Sequence, residues 1–360
     1  MILLNPGPVT MSEEVRSAMA ARDVCHREPE FAQLTLSILR RLEAVYPVVE
    51  RNYRATLLSG SGTAAVEAMI ATYAPRDRAT LVVSNGVYGE RMARMLAQQQ
   101  KPSVVHETDW LEPIDVGTVA SRIGSERFGA VAVVHHETTT GTLNPLDDIA
   151  AACVQAGVPL LIDAVSSFGG EEVSFDRWRP LAVAGTANKC LHGAPGLSFV
   201  LTNHDDARAL ESHAPSLYLD VTAYKGQQAD GSSPFTLATH VASALDRALD
   251  EHAADGGWEG RRAQFHMRSR FVREGLEDAG FEMLVPEERA SSMLSAFTLP
   301  EGVDYTVLHD GLKSRGYIVY AGQGRLSDRI MRVATMGHLT PTDIEGFVSA
   351  VSEVLRQHGH

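Results

Sequence analysis

Short apolar runs alternate with longer segments of helical periodicity over the first two thirds of the chain. The short runs predict strands, which are Ala55–Ser59, Thr80–Ser84, Val104–His106, Ala130–His135, Pro159–Asp163, Leu181–Ala184 and Leu197–Leu201. The periodic segments predict helices, which are Gly62–Tyr73, Tyr88–Gln98, Asp115–Ile123 and Pro145–Ala156. Many of the strands are rich in valine, leucine and alanine and do not alternate with polar residues. They are therefore typical of a parallel sheet covered by helices on both faces.

The pattern changes near residue 240. Two long helices are predicted there, Val241–His252 and Trp258–Ala279, with a glycine pair between them. The later predicted elements are Phe281–Val285, Met293–Leu299, Tyr305–Ser314, Tyr317–Tyr320, Ile330–Ala334 and a last helix that begins at Pro341 behind a Thr340 N-cap. We expect a large domain over residues 1–240, whose first dozen or so residues form an N-terminal arm. A smaller C-terminal α+β domain is expected over residues 241–360.

Composition and charge narrow the class of protein. The chain has 360 residues, of which 44% are hydrophobic and 21% are charged, as in an ordinary globular protein. Its formal net charge is −13. Because contacts to phosphate surfaces need clustered lysine and arginine, we expect neither a nucleic-acid partner nor a membrane partner.

The first residues and the cysteines predict the compartment. The segment Met1–Pro8 has no basic region and no long apolar core, so no signal peptide is predicted. No run approaches the roughly 18 apolar residues of a membrane span. The three cysteines, Cys25, Cys153 and Cys190, lack the spacing of metal ligands. We therefore expect a cytoplasmic protein with reduced thiols and no metal site.

A glycine turn joins a predicted strand to its helix in Leu58-Ser-Gly-Ser-Gly-Thr-Ala-Ala65. Free backbone N–H groups at such a helix start bind anions, most often phosphate. Gly60, Gly62 and Ala65 also match the dinucleotide pattern G-x-G-x-x-A, which leaves an NAD-dependent dehydrogenase open as a different class of function. That pattern needs an acidic residue about 20 positions later at a strand end, whereas Asp77 precedes its strand. A turn that simply requires glycine is the plainer interpretation.

Two further segments place a charged residue beside a buried strand. Asp163 ends an apolar run, at the position where open α/β sheets bind ligands. The alternative is an aspartate that caps the next turn. Lys189 lies between an apolar stretch and a glycine-rich one, with no other charge in its flanks. A lysine in such a desolvated site has a lowered pKa and can form a Schiff base, whereas a lysine that reaches the surface is the alternative.

A phosphate cup, a strand-end aspartate and a Schiff-base lysine are the three protein parts that a pyridoxal phosphate enzyme needs. Six stretches carry a closer likeness: Leu4-Asn-Pro-Gly-Pro-Val-Thr10, Gly60-Ser-Gly-Thr-Ala-Ala-Val-Glu67, Ser84-Asn-Gly-Val-Tyr-Gly-Glu-Arg-Met92, His136-Glu-Thr-Thr-Thr-Gly-Thr-Leu-Asn-Pro145, Asp163-Ala-Val-Ser-Ser-Phe-Gly-Gly170 and Ala187-Asn-Lys-Cys-Leu-His-Gly-Ala-Pro-Gly196. Together they resemble class V aminotransferases, which are fold type I pyridoxal phosphate transferases. The resemblance implies an α/β fold with a large, mostly parallel sheet and a smaller C-terminal α+β domain.

The resemblance also implies a cofactor site for pyridoxal 5′-phosphate. Lys189 resembles the lysine of the Schiff base and Asp163 the partner of the pyridinium nitrogen, so these two are the implied catalytic residues. Thr139 resembles the hydroxyl beside the phenolic oxygen, with Thr138 and Thr140 left open. The other implied cofactor-binding residues are Ser61, Gly62 and Thr63 in the phosphate cup, Tyr88 stacked on the ring, Val165, Asn188, and Thr239, which would reach the phosphate across the interface of a homodimer.

The implied substrates are a small amine and a 2-oxo acid. Arg332 resembles the arginine that grips a substrate carboxylate, a task that suits its planar fork. Gly7 and Arg27 are further implied substrate contacts, a surface arginine being the alternative for Arg27.

Within the class, the Glu-Thr-Thr-Thr-Gly and Ser-Ser-Phe-Gly-Gly stretches most resemble one branch. It transfers the amino group of 2-aminoethylphosphonate to pyruvate and gives phosphonoacetaldehyde and alanine. The implied route is ping-pong, through a Schiff base on Lys189. Another donor, a hydroxylated aminophosphonate, or alanine or serine with glyoxylate, stays open.

Overall fold

The strands form one large sheet, one smaller sheet and two short pairs in a computed structural model, which describes residues 1–358. In chain order the strands are β1 (Ile2–Leu3), β2 (Tyr53–Ser59), β3 (Thr80–Ser84), β4 (Ser103–Glu107), β5 (Ala130–Val134), β6 (His136–Glu137), β7 (Thr142–Leu143), β8 (Leu160–Asp163), β9 (Ala182–Thr186), β10 (Leu197–Asn203), β11 (Glu282–Met283), β12 (Leu294–Thr298), β13 (Tyr317–Ile318), β14 (Tyr320–Ala321) and β15 (Ile330–Ala334). This alternation with helices is the α/β class that the sequence predicts.

The helices connect the strands and cover both faces of the large sheet. In chain order they are α1 (Glu13–Ala18), α2 (Pro29–Glu43), α3 (Val49–Asn52), α4 (Gly62–Tyr73), α5 (Val87–Gln98), α6 (Val116–Ser125), α7 (Leu146–Ala156), α8 (Phe175–Trp178), α9 (Val221–Gln228), α10 (Thr239–Ala254), α11 (Gly257–Glu277), α12 (Tyr305–Ser314) and α13 (Pro341–Gln357). Within residues 1–358, no helix is both long and apolar enough to cross a membrane.

The large sheet has the strand order β2-β10-β9-β8-β5-β3-β4, in which β10 runs in the direction opposite to the other six strands. Successive residues of its strands face two separate apolar cores. In β5, Val131 and Val133 lie in one core, and Ala132 and Val134 lie in the other. Burial on both faces explains why these strands are continuously apolar, so the predicted mostly parallel sheet is confirmed.

A second, antiparallel sheet of order β11-β12-β15-β14 carries its own core with α11, α12 and α13. The N-terminal arm joins this part of the molecule, because β1 pairs with β13 and Leu4 is buried in the second core. In contrast, α10 packs Leu245 and Leu249 into a core of the large sheet. The division into domains at residue 240 stays a prediction.

The predicted element bounds differ from the observed ones mainly at their ends. The predicted strand Tyr317–Tyr320 is wrong as a single element. Tyr317 and Ile318 pair with the N-terminal arm, whereas Tyr320 and Ala321 pair with β15. Pairing with two different partners divides the run, and this partnership depends on contacts distant in sequence.

The fold gathers the motifs at one edge of the large sheet. Strands β2, β3, β5, β8 and β9 are mutually parallel, so their carboxyl ends meet at this edge. The segments that follow them carry the glycine turn, Tyr88, the three threonines, Asp163 and Lys189. Ligands of open α/β sheets bind beyond such carboxyl ends.

Candidate functional site

The glycine turn after β2 forms a cup of unused backbone donors. Ser61 is the N-cap of α4, but its side chain accepts no N–H, and its carbonyl accepts from Ala64 and Ala65. In the described residues the N–H groups of Gly62 and Thr63 therefore have no acceptor, at the positive end of a 12-residue helix. An anion such as phosphate fits this cup.

Asp163 ends β8 with one carboxylate oxygen unused. Its Oδ1 accepts from the Val165 N–H (2.9 Å), and no hydrogen bond from residues 1–358 reaches Oδ2. Burial raises the pKa of this carboxyl to about 6, although the positive charges of Arg91 and Lys189 oppose the rise. A buried carboxylate with a free oxygen suits a cationic donor such as the N–H of a pyridinium ring.

Lys189 follows β9 and is half-buried. Burial lowers the pKa of its amine to about 8; Arg332 lowers it further, whereas the neighbouring Asp163 opposes this. The amine donates to the Pro6 carbonyl of the N-terminal arm. Gly7 lies against the same amine, since a Cβ there would be 2.7 Å from Nζ. The structure thus brings Gly7 and Lys189 together, although they are far apart in the sequence.

Tyr88 lies in the first turn of α5, and Arg91 one turn later lies over its ring. The Arg91 Cζ is 4.7 Å from the ring centroid, and Nη1 donates to the Thr63 hydroxyl in the cup (3.3 Å). Arg91 is absent from the residues predicted above, although its spacing of three from Tyr88 puts both on one helix face. It adds a cation to the phosphate cup.

The three threonines after Glu137 are fully buried and differ in what their hydroxyls bind. The Thr139 hydroxyl donates to Glu137 Oε1 (2.6 Å) and accepts from the Val87 N–H (3.1 Å). The Thr140 hydroxyl bonds to a neighbouring threonine (2.9 Å). The Thr138 hydroxyl has no partner among the residues the structure describes. A hydroxyl has one hydrogen to donate, so Thr138 is the threonine of the three whose hydroxyl hydrogen is unused within the described residues.

Arg332 lies on β15 and reaches the edge of the large sheet. It is 3% exposed, and its guanidinium donates from Nε to the Ala321 carbonyl (2.8 Å) and from Nη1 to the Thr138 carbonyl (2.9 Å). Nη2 makes no hydrogen bond within the described part of the chain. Two carbonyls therefore hold the guanidinium in place and leave one nitrogen for an anion.

The remaining predicted residues differ in their proximity to this centre. Val165 packs against the cup, where a Cβ on Gly62 would lie 2.5 Å from it. Asn188 accepts from the Thr186 hydroxyl (2.9 Å) beside Lys189. Thr239 begins α10 and is half-buried. Arg27 is exposed and makes no hydrogen bond or ion pair within residues 1–358, so its contact with a substrate stays a prediction.

Two buried groups beside the site escaped prediction, Glu137 and His136. Burial raises the pKa of Glu137 to about 7 and lowers that of His136 to about 4. The His136 Nδ1 bonds to the Ser166 carbonyl (2.9 Å), while Nε2 has no partner in the described residues. A carboxylate within a few residues of the end of an apolar strand, as at Asp163, is the signal that could have identified Glu137.

Known proteins resemble this chain along nearly its whole length. A family model described as aminotransferase class-V matches residues 18–336. A 2-aminoethylphosphonate–pyruvate transaminase of Syntrophobacter fumaroxidans is 34% identical over 363 residues, which cover 99% of this chain and 97% of that protein.

Solved structures extend the likeness to three dimensions. An aspartate aminotransferase of subgroup IV from Thermus thermophilus matches with a TM-score of 0.90 at 26% identity, over 99% of both chains. An alanine–glyoxylate aminotransferase from Nostoc sp. matches with a TM-score of 0.91 at 27% identity, over 99% of this chain and 95% of the other.

Proposed function

Because this chain belongs to the aminotransferase class-V family, we propose that it transfers the amino group of 2-aminoethylphosphonate to pyruvate. The chain is an aminotransferase, and its cofactor is pyridoxal 5′-phosphate. The observation that carries the donor and acceptor is the likeness, along nearly the whole chain, to proteins with that activity in their names. The products are then phosphonoacetaldehyde and alanine.

Three unused groups of this chain fit the cofactor. The N–H groups of Gly62 and Thr63 would hold its phosphate, with Arg91 adding positive charge. Oδ2 of Asp163 would accept from the pyridine nitrogen, and the unpartnered Thr138 hydroxyl would meet the phenolic oxygen. Pyridoxal phosphate, when bound, supplies an aromatic ring that accepts the electron pair of the donor carbon.

The chain's own groups orient the substrate and move its proton. Lys189, with its lowered pKa, has an amine that is partly neutral at neutral pH and can therefore take up a proton at Nζ. Tyr88 would pack on one face of the bound ring. The N-terminal arm at Pro6 and Gly7 covers the lysine and limits the access of water to it.

The anionic substrates need local positive charge, because the chain as a whole is acidic. The cleft supplies this positive charge through Arg332, Arg91 and Lys189. The positive charges of the two arginines both lower the pKa of the Lys189 amine. Arg332 is the proposed receptor of the pyruvate carboxylate, since two backbone carbonyls fix its fork and leave Nη2 available. A contact between the exposed Arg27 and the phosphonate stays a prediction.

Replacing Arg332 by glutamine should raise the KM for pyruvate. The side chain would lose a charge-assisted bond of about 1.5–3 kcal/mol, which corresponds to roughly 10- to 150-fold in KM. Steady-state kinetics with varied pyruvate measure the effect, and Arg329→Gln at a neighbouring exposed position is the control. An unchanged KM for pyruvate would exclude Arg332 as the carboxylate receptor.

The two threonines Thr138 and Thr139 should respond differently to valine. Thr138→Val removes a hydroxyl without a partner in the chain, so we expect an altered cofactor absorbance and nearly unchanged stability of the apoprotein. Thr139→Val removes the bonds to Glu137 and Val87 and should lower the free energy of unfolding by about 1–3 kcal/mol. Absorbance spectra and urea unfolding measure the two effects. The reverse pattern would return the phenolic-oxygen role to Thr139.

A homodimer with shared sites is the proposed assembly. The segment before Thr239 lies beside the strand that leads to the cup, because the Ala238 N–H donates to the Ser59 hydroxyl (3.0 Å). Tyr218 and Leu217 nearby are exposed, Leu217 to 80%. These apolar side chains suit burial against a second copy of the chain. Sedimentation equilibrium tests the assembly, and a monomer at enzyme concentrations used for full activity would exclude it.

The cytoplasm is the proposed location. None of the three cysteines forms a disulfide within residues 1–358, and Cys153 and Cys190 are buried as free thiols. Such reduced thiols are typical of the cytosol. Cell fractionation with an antibody to the protein tests the location.

A panel of amino donors tests the proposed substrate. Values of kcat/KM for 2-aminoethylphosphonate, a hydroxylated aminophosphonate, alanine and serine, each with pyruvate and glyoxylate, rank the candidates. We expect 2-aminoethylphosphonate with pyruvate to rank first. The likeness to the Nostoc enzyme favours alanine with glyoxylate as the second candidate. The dehydrogenase reading of the glycine turn is set aside, because the matched family is one of aminotransferases.

A further inference from the structure

A buried carboxylate beneath the site has no role in the chemistry described so far. Glu137 is 0% exposed at the end of β6. Burial raises the pKa of its carboxyl to about 7, although hydrogen bonds from Thr139 favour the ionised form. Because a buried charge is costly unless its hydrogen bonds are satisfied, the donors around Glu137 indicate what the side chain does.

Those donors come from the start of α5 and from Thr139. Oε2 accepts from the Tyr88 N–H (3.2 Å), and Oε1 accepts from the N–H (3.1 Å) and the hydroxyl (2.6 Å) of Thr139. The Thr139 hydroxyl oxygen accepts in turn from the Val87 N–H (3.1 Å). The first two N–H groups of α5 are therefore satisfied by Glu137 and Thr139.

The residue before α5 cannot accept the first N–H groups of the helix, so Glu137 accepts in its place. Gly86 is the N-cap and has no side chain with which to accept a helix N–H. A Cβ at Gly86 would lie 2.3 Å from Cδ of Glu137, so the carboxylate occupies the space of the missing cap. Its negative charge also suits the positive end of the helix.

We propose that Glu137 is a positioning residue, whose carboxylate fixes the first turn of α5 so that the Tyr88 ring faces the cofactor, and whose protonation releases that turn. The proposal rests on the stacking role proposed for Tyr88. The charged and titratable groups that face Glu137 are Asp163 from β8, Arg332 from β15 and Tyr88 itself. Asp163 favours the protonated carboxyl, whereas Arg332 favours the ionised one.

The sign of the pH dependence follows from the raised pKa of Glu137. The folded chain holds this proton more tightly than the unfolded chain, whose carboxyl has the ordinary value of 4.5. The free energy of unfolding therefore falls as pH rises from 4.5 to about 7, and the cost of the buried charge is complete above about 7. Over the same range the carboxylate gains the charge that holds α5. Glu137→Gln imitates the protonated form at every pH, because its amide nitrogen cannot accept the Tyr88 N–H.

The test compares the wild-type protein with Glu137→Gln and Gly86→Ala. Gly86→Ala keeps the carboxylate but displaces it, so the test stands even where Glu137→Gln folds poorly. Glu171→Gln is the matched control. Glu171 is also buried and accepts from the N–H (2.9 Å) and hydroxyl (2.5 Å) of one residue, Ser292, while none of its hydrogen bonds in residues 1–358 reaches α5.

Two measurements are made on each apoprotein, at about pH 6 and about pH 8, on either side of the pKa of Glu137. Hydrogen exchange with mass spectrometry follows the peptide that contains the first turn of α5. Titration with pyridoxal 5′-phosphate gives the affinity for the cofactor.

At about pH 8 we expect both variants to exchange the first-turn amides faster than wild type and to bind the cofactor about tenfold more weakly. At about pH 6 wild type should approach Glu137→Gln, and Glu171→Gln should follow wild type throughout.

Unchanged exchange in Glu137→Gln would overturn the proposal. Faster exchange with unchanged affinity would also overturn it, because the turn would then not act on the cofactor. Neither measurement uses a donor or an acceptor. If the panel of amino donors did not favour 2-aminoethylphosphonate, the exchange and affinity results would therefore still stand. If the exchange and affinity results contradicted the role of Glu137, the proposed amino donor would still stand.

Discussion

Replacing Lys189 by alanine is expected to lower kcat by at least about a thousandfold, because it removes both the proposed nucleophile and the group proposed to move the proton. The loss should be accompanied by loss of the covalent link to the cofactor. Reduction with borohydride, followed by digestion and mass spectrometry, should find cofactor on the wild-type peptide that contains Lys189 and none in Lys189→Ala.

Few lysines compete with Lys189 as the residue that carries the trapped cofactor. The chain has only four, at positions 101, 189, 225 and 313. Burial also lowers the pKa of Lys101 to about 8. Its amine, however, donates to three carbonyls at the end of α4, those of Ile70, Ala71 and Ala74. Lys313→Ala, at an exposed position, is the control. Cofactor trapped on the Lys101 peptide, or wild-type turnover in Lys189→Ala, would contradict the assignment.

Replacing Asp163 by asparagine is expected to lower kcat about 100- to 1000-fold, the range seen when one preorganised electrostatic partner is removed. The amide retains the shape of the carboxyl and can still accept from the Val165 N–H, so the fold should persist. It carries no negative charge, and the pyridine nitrogen would therefore lose the partner proposed to keep it protonated. Asp77→Asn on the exposed surface controls for the change in net charge.

The pH dependence of kcat gives a second test of the role proposed for Asp163. Its pKa is raised by burial to about 6, so the free carboxyl is protonated below that pH and its charge is lost there. A bound cation lowers this pKa. Wild-type kcat should therefore fall as pH drops through about 6 or below, which gives the pH profile an acidic limb. The profile of Asp163→Asn should lack this limb. A variant within tenfold of wild type that keeps the limb would show that Asp163 is not the charged partner.

Strand-end reasoning predicted the parts of the site that follow β2, β8 and β9. The glycine turn, Asp163 and Lys189 each stand next to a continuously apolar run, and parallel strands bring such ends together. This signal lies within a few residues of each group, so it can be read locally. The parallel sheet with helices on both faces was predictable for the same reason.

The contributions of Arg91 and Glu137 depend on packing between distant segments. Arg91 is recognisable only once α5 packs beside α4 and its guanidinium meets Thr63. Glu137 acts at the start of α5 because β6 places it there, and the missing side chain of Gly86 leaves room for its carboxylate. No periodicity in the sequence encodes either contact.

The sequence does not distinguish among three adjacent threonines, and which of them meets the phenolic oxygen stays a proposal. Each has the same hydroxyl, and only the observed partners separate them. The Thr139 hydroxyl donates its hydrogen to Glu137, whereas the Thr138 hydroxyl has no partner within residues 1–358. Which acceptor receives that hydrogen depends on the three-dimensional arrangement of the neighbours, which spacing along the chain does not contain.

Net charge gave an incomplete picture of the ligands. A formal charge of −13 argued against nucleic acid. Yet the cofactor and the proposed substrates are all anions. The structure resolves this contrast locally, because Arg91 lies at the phosphate cup and Arg332 lies near Lys189.

The most direct test of the central claim is the absorbance of the purified protein with bound pyridoxal phosphate during titration with 2-aminoethylphosphonate in the absence of any 2-oxo acid. Transfer of the amino group to the cofactor should bleach the visible band, and later addition of pyruvate should restore it with formation of alanine. A visible band that 2-aminoethylphosphonate leaves unchanged, while alanine bleaches it, would contradict the proposed donor.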